Sequence, residues 1–265
     1  MNKLLYIFVV CFCIGIIVFG HFHWKTKINS KPEMQSVQAG SIYEGEQETI
    51  HKEELIDHNK LTSNLSDEIR EKVINAVENE VPVHMAVIGS DAQSKGENPW
   101  PILVQEKLNE EYGEGVFKLT PYSFGEETSI RVHSSDRYAE IIEEHPDIVL
   151  LEPFILNDNR GRIAVKDTKT AILLMKSKLL ERNEEAVLIL QPPHPIYQSN
   201  SYDNQVVEIR EFAEENDILF LNHWENWPGT SDVTIKEYVL SDDSAPNDKG
   251  NKVWAEFISD YFIGK

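Results

Sequence analysis

The sequence predicts an α/β protein: a three-layer α/β/α sandwich around a five-stranded parallel sheet, preceded by an N-terminal transmembrane helix. Three observations lead there. Short apolar runs (Val83–Gly89, Asp147–Glu152, Ala186–Gln191, Ile218–Asn222) lack the polar/apolar alternation of a half-exposed strand, so each needs cover on both faces. Stretches of helical periodicity separate successive runs, as βαβ crossovers require. The first run, Leu4–Gly20, carries no charged residue at all.

That first run follows Lys3 and is about 17 residues long, at the short limit for a bilayer-spanning helix. No small-residue cleavage site follows it; the chain exits into His21-Phe22-His23-Trp24-Lys25. Residues 1–24 are therefore expected to be an uncleaved signal anchor, with a cleaved signal peptide as the alternative. Residues 25–64 are polar and acidic with scattered Pro and Gly, a stalk that stands the domain off the membrane on the extracytoplasmic side. Residues 65–265 form the domain.

Within it, Ser66-Asp67-Glu68 opens a helix running to Val81, because acids favour the positive end of a helix dipole. Val83–Gly89 is the first strand. Pro99–Tyr112 is a helix with Pro at its start and Gly113 past its end. Val116–Phe124 is the second strand, and Ser135–His145 a helix stopped by Pro146. Asp147–Glu152 is the third strand, followed by a loop and a helix over Asp167–Arg182. Ala186–Gln191 is the fourth strand, Asp203–Asn216 a helix, Ile218–Asn222 the fifth strand. Asp248–Phe262 closes the chain as an amphipathic helix.

Composition narrows the function. The 265 residues include 45 acidic and 25 basic side chains, a formal charge of -20. Nucleic acid and anionic membrane surfaces are excluded as charge-driven partners, since both need clustered Lys and Arg. Cys11 and Cys13 both lie in the first apolar run, so the domain has no disulfide, thiolate ligand or cysteine nucleophile. No glycine-rich phosphate loop follows the first strand.

In parallel sheets the site forms beyond the carboxyl ends of the strands. There the chain carries Gly89-Ser90-Asp91, then Phe124-Gly125-Glu126, then Glu152-Pro153-Phe154-Ile155-Leu156-Asn157-Asp158. The fourth strand leads into Pro192-Pro193-His194-Pro195 and the fifth into His223-Trp224-Glu225-Asn226-Trp227. Asp242-Asp243-Ser244-Ala245-Pro246-Asn247-Asp248-Lys249-Gly250 precedes the last helix. Over residues 83–265 this series resembles the SGNH (GDSL-type) hydrolases. That resemblance implies a serine acyl hydrolase acting on esters without a cofactor or metal, with a Gly and an Asn completing an oxyanion hole and a D-x-x-H turn supplying the base. Gly125 falls at the oxyanion Gly, Asn157 at the oxyanion Asn and Asp242 at the Asp of D-x-x-H.

Two positions depart from the family. Asp91 stands where the nucleophilic Ser belongs, with Ser90 one place early, and Ala245 stands where the His belongs. The resemblance thus points to a protein that acts on or binds acyl esters of the cell envelope with low activity, or to a non-catalytic descendant that binds a glycan or protein. The candidate site residues are Ser90, Asp91, Gly125, Asn157 and Asp242. Three further expectations remain open. His194 or His223 stands in as base; Asp91 and Asp242 form a carboxylate pair that raises one pKa or holds a cation; Trp100, Tyr197, Trp224 and Trp227 form an aromatic shelf for a sugar ring.

Overall fold

The computed structural model describes residues 57–265. The expected membrane helix and most of the expected stalk lie outside the described residues, and no helix among the described residues is long and apolar enough to cross a membrane. The last part of the expected stalk is a short helix, α1 (His58–Leu61), which starts on an Asp57 side-chain cap. Behind it Thr62 is buried, and the Asn64 amide donates to the Lys265 carbonyl at 3.2 Å.

Five parallel strands form one sheet in the order β2-β1-β3-β4-β5. They are β1 (Val83–Gly89), β2 (Phe117–Ser123), β3 (Ile148–Leu151), β4 (Val187–Leu190) and β5 (Leu219–Phe220). The helices are α2 (Asp67–Asn79), α3 (Trp100–Tyr112), α4 (Ser129–His133), α5 (Asp136–Ile142), α6 (Ile155–Gly161), α7 (Val165–Arg182), α8 (Asn200–Glu215) and α9 (Asp248–Phe262). Single 3₁₀ turns form at Asp91–Gln93, His223–Asn226 and Val233–Glu237.

The period of two along β1 sorts its side chains into two cores. Val83, Met85 and Val87 pack with Val104 and Leu108 of α3 and Trp254 and Ile258 of α9. Ala86 and Ile88 pack on the other face with Tyr138 of α5, Ile172 and Met175 of α7 and Ile209 of α8. Double cover explains why β3 is apolar at every position. The edge strand β2 is half-exposed and tolerates Lys118 and Pro121.

Several elements differ from the sequence expectation: α4 answers to no expected element, and α2 stops at Asn79 instead of Val81. The helix expected over Ser135–His145 is confined to α5, because the Ser135 side chain caps it at the Tyr138 N–H (3.1 Å) and His145 takes a left-handed conformation (φ 51°). The stretch after β3, expected as a loop, forms α6. Phe154 enters it at φ 61°, turning the chain sharply, while its buried ring packs edge-on against Phe124 at 6.0 Å.

Candidate functional site

Strand order places a topological switch at β1, where the chain leaves to β2 on one side and β3 on the other. Such a switch opens a crevice beyond the carboxyl ends of the strands. Backbone pairing fixes what lines it: the Phe124 N–H donates to the Gly89 carbonyl and the Glu152 N–H to the Ile88 carbonyl, both at 2.8 Å. The segments after β1, β2 and β3 therefore meet at one end of the sheet.

Ser90 begins the 3₁₀ turn and caps it by accepting the Ala92 N–H at 3.3 Å. Its hydroxyl points inward and donates to Glu152 Oε2 at 2.7 Å, and its N–H donates to the same oxygen at 3.0 Å. Asp91 faces outward, its side chain 39% exposed, with Oδ2 3.3 Å from Lys95 Nζ and Oδ1 accepting the Ser123 hydroxyl at 3.2 Å. The Asp91 N–H donates to the Gly125 carbonyl at 3.2 Å. Gly125 (φ 63°) directs its own N–H to Ser123 Oγ at 3.3 Å. Asn157, in the first turn of α6, donates from Nδ2 to the carbonyls of Gly125 (3.2 Å) and Glu127 (3.0 Å).

Ser90, Asp91, Gly125 and Asn157 are thus brought together, but their donors are spent within the protein: Ser90 on Glu152, Gly125 on Ser123, Asp91 and Asn157 on the Gly125 carbonyl. The expected oxyanion N–H of residue 91 and the Asn157 amide both terminate on the Gly125 carbonyl. A hole for a developing oxyanion needs donors aimed at an open position, and here they close a loop-to-loop brace.

Asp242 does not join them through any hydrogen bond. Its Oδ1 accepts the Ser244 N–H (3.1 Å) and hydroxyl (2.7 Å), and those bonds hold its carboxyl below the usual carboxylate range. Its turn meets α6 instead, where Arg160 donates to the Asp243 carbonyl at 3.1 Å. The expected Asp91–Asp242 carboxylate pair is corrected accordingly: the charge facing Asp91 is the ammonium of Lys95. Among the described residues no group of three metal-ligating side chains occurs.

Neither histidine makes a hydrogen bond to Ser90, Asp91, Gly125 or Asn157. His194 is buried with Nε2 3.2 Å from the Asp243 carbonyl, and burial pushes its pKa down to about 4. His223 is buried, stacked on Trp254 at 4.0 Å, with Nε2 2.8 Å from the Pro192 carbonyl; burial drives its pKa to about 3. Burial favours the uncharged form of both rings. Ala245 is itself fully buried. The expected aromatic shelf is corrected too. Trp100 lies in the core, stacked on Trp254 at 4.8 Å, and Trp227 is buried against His223. Trp224 ties its indole N–H to the Pro193 carbonyl at 2.7 Å, and Tyr197 lies under Lys236.

Sequence reasoning missed Glu152, Ser123 and Lys95. Glu152 had a readable signal: a carboxylate closes an otherwise apolar strand destined for burial. The structure leaves it 1% exposed, and burial pushes its pKa up to about 7 against the opposing pull of the two Ser90 hydrogen bonds. Asp158 of α6 is a second buried acid, raised by burial, which accepts from Ser129 N (2.9 Å), Ser129 Oγ and Thr168 Oγ1 (2.6 Å) and so locks α4 and α7 to α6.

No family model matches the chain, and no curated protein matches it in sequence. Solved structures do. A protein described as lipolytic and of the G-D-S-L family, from Desulfitobacterium hafniense DCB-2, superposes with a TM-score of 0.56 at 18% identity, over 68% of this chain and 99% of that one. The psychrotrophic esterase EstA from Pseudoalteromonas gives 0.53 at 21% identity, over 67% of this chain and 96% of that one. A carbohydrate esterase of family 3 from Talaromyces cellulolyticus gives 0.54 at 14% identity, over 66% and 94%. The architecture read from residues 83–265 is therefore the fold of the GDSL-type, or SGNH, hydrolases.

Proposed function

We propose that this chain is a membrane-tethered, extracytoplasmic SGNH-fold protein that binds acyl-ester-bearing cell-envelope glycans and turns them over far more slowly than an esterase. One observation supports this most. The groups that would perform acyl transfer already donate within the protein: Ser90 to Glu152, the Asp91 N–H and Asn157 amide to the Gly125 carbonyl. Attack by a serine needs a base beside the hydroxyl and free donors where negative charge develops. Asp91 adds a carboxylate near that position, which opposes a developing oxyanion. Lys95 partly offsets it and offers a cationic contact to a ligand's carbonyl or hydroxyl.

The ester class follows from the fold shared with esterases and from the crevice location, and the glycan class from the expected extracytoplasmic placement. The test is binding of O-acetylated envelope-glycan fragments, followed by isotope-resolved NMR, with the same fragments de-O-acetylated as control. Shifts confined to residues 90–95 and 123–127, seen with the acetylated probe alone and without acetate release, are the expected result. Acetate release at ordinary enzyme rates would contradict the reading, as would identical responses to the two probes.

A further inference from the structure

Phe124–Glu127 is a tight turn, closed by the Glu127 N–H on the Phe124 carbonyl at 3.2 Å. Its Gly125 faces Asp91, where a Cβ built on the glycine lies 3.6 Å from Asp91 Oδ1. Phe124 and Glu127 also line a cavity of about 520 Å³, completed by Arg131 of α4, the Ser134-Ser135 link and Arg137 of α5. A volume of that size suits a small ligand. The two serine hydroxyls already donate to backbone carbonyls, Ser134 to Ile130 (2.9 Å) and Ser135 to Val132 (2.8 Å). The guanidinium N–H groups are the side-chain donors left. Arg137 has no acid partner among the described residues; its guanidinium lies over the buried Phe124 ring, 4.6 Å from the centroid. A ring beneath a guanidinium holds its plane and leaves the N–H edge free. Arg131 pairs with Glu127 at 3.6 Å, too long for a hydrogen bond.

We propose that this cavity receives the carboxylate of an acidic sugar, hydrogen-bonded to the forks of Arg137 and Arg131, and so gives the crevice a subsite for negatively charged glycans. The charge count selects the group. Two guanidinium groups and the Glu127 carboxylate leave one positive charge, which a single carboxylate neutralises. A phosphate monoester brings nearly two charges at neutral pH and would leave the site negative, in a chain that already carries -20. Shape agrees with charge, because the two N–H groups of a guanidinium edge match the two oxygens of a carboxylate. Glu126 lines a smaller adjoining cavity with Phe124, Glu127 and Arg131, and its repulsion directs the ligand's charge toward Arg137. A single turn separates cavity from crevice, a span that one short oligosaccharide covers. The Asn157 amide fixes that turn by donating to the Gly125 and Glu127 carbonyls. That the carboxylate belongs to a sugar rests on the glycan ligand proposed for the crevice; the arginine site itself does not.

The test titrates the full-length chain with D-glucuronate, glucose and glucose 6-phosphate, and reads the arginine side-chain Nε–H signals by NMR. The signals are identified by their loss in Arg137→Lys and Arg131→Lys; both side chains are exposed, so either variant folds and each gives the reading independently. Glucuronate should shift the Arg137 and Arg131 signals to saturation, glucose should leave them unmoved, and glucose 6-phosphate should bind more weakly than glucuronate. Arg137→Lys keeps the charge but loses the fork, and should raise the glucuronate Kd about tenfold. Glu127→Gln removes the opposing charge and should lower that Kd. No saturable shift with glucuronate, an equal response to glucose, glucose 6-phosphate binding as tightly as glucuronate, or a Kd unchanged in Arg137→Lys would each overturn the proposal. None of the three probes carries an acyl ester, so a crevice that binds no ester and a cavity that binds no carboxylate give separate results.

Discussion

Ser90 directly follows β1, and its hydroxyl points into the protein, onto Glu152. Ser90→Ala removes a hydrogen bond to a buried carboxyl group and the cap on Ala92. Its cost should be about 1–3 kcal/mol by chemical denaturation, with no catalytic penalty to find. Glu152 sets a pH dependence with a definite sign. Its pKa rises from 4.5 to about 7 on folding, so the native state favours the protonated form. That contribution is complete below about 4.5 and is lost as pH rises through about 7, which should reduce stability by about 3 kcal/mol between pH 5 and pH 8.5. Across that range the urea midpoint of the wild type should fall relative to that of Glu152→Gln, because the buried His194 and His223, whose stabilising contribution grows as pH rises through 6.5, act equally in both proteins. A wild-type midpoint that rises relative to that of Glu152→Gln would contradict the assignment.

At the scale of elements, the final helix carries a substitution test of its packing. Gly250 lies in the first turn of α9, where helix propensity favours alanine by about 1 kcal/mol. A Cβ there would collide with the Tyr238 carbonyl oxygen and lie 2.7 Å from the Trp227 ring. Gly250→Ala should therefore destabilise by about 2 kcal/mol or more, measured as a drop in the denaturation midpoint, against the sign that propensity alone gives. The bounds of α9 were legible in the sequence because its amphipathic stripe is long and Asn247 is a strong N-cap, accepting from Lys249 and Gly250 N–H. The order of strands and helices was legible for the same kind of reason: apolar runs too short for helices, bounded by caps, Gly and Pro. Helix α6 was not, because its entry depends on Phe154 in a left-handed conformation, and tertiary packing against Phe124 imposes that shape. The meeting of Ser90, Asp91, Gly125 and Asn157 followed from motif order. The direction of each donor did not, since a turn of one residue sends the Ser90 hydroxyl to Glu152, and no local pattern encodes the Gly125 carbonyl as the shared acceptor.

Taken whole, the molecule keeps the fold of the GDSL-type hydrolases while the segments after β1, β2 and β3 hydrogen-bond to one another. The formal charge of -20 acts on the same scale, because mutual repulsion of surface carboxylates opposes compactness. Raising NaCl from 10 to 150 mM should increase the thermal midpoint by screening, and a decrease would show that local ion pairs such as Lys107–Glu110 outweigh the net repulsion. The paired substitution Asp91→Ser with Ala245→His asks whether this frame supports acyl transfer. Acetyl-ester turnover should not rise detectably above the parent chain, because Ala245 is fully buried and the residue 91 N–H and Asn157 amide stay on the Gly125 carbonyl; a gain of about tenfold would show that those donors open to a substrate. The most direct measurement is acetyl-ester hydrolysis by the unaltered full-length chain beside Ser90→Ala. Equal rates, both far below the roughly 1–10³ s⁻¹ of ordinary enzymes, are what a self-braced site predicts; turnover in that range, abolished by Ser90→Ala, would contradict it.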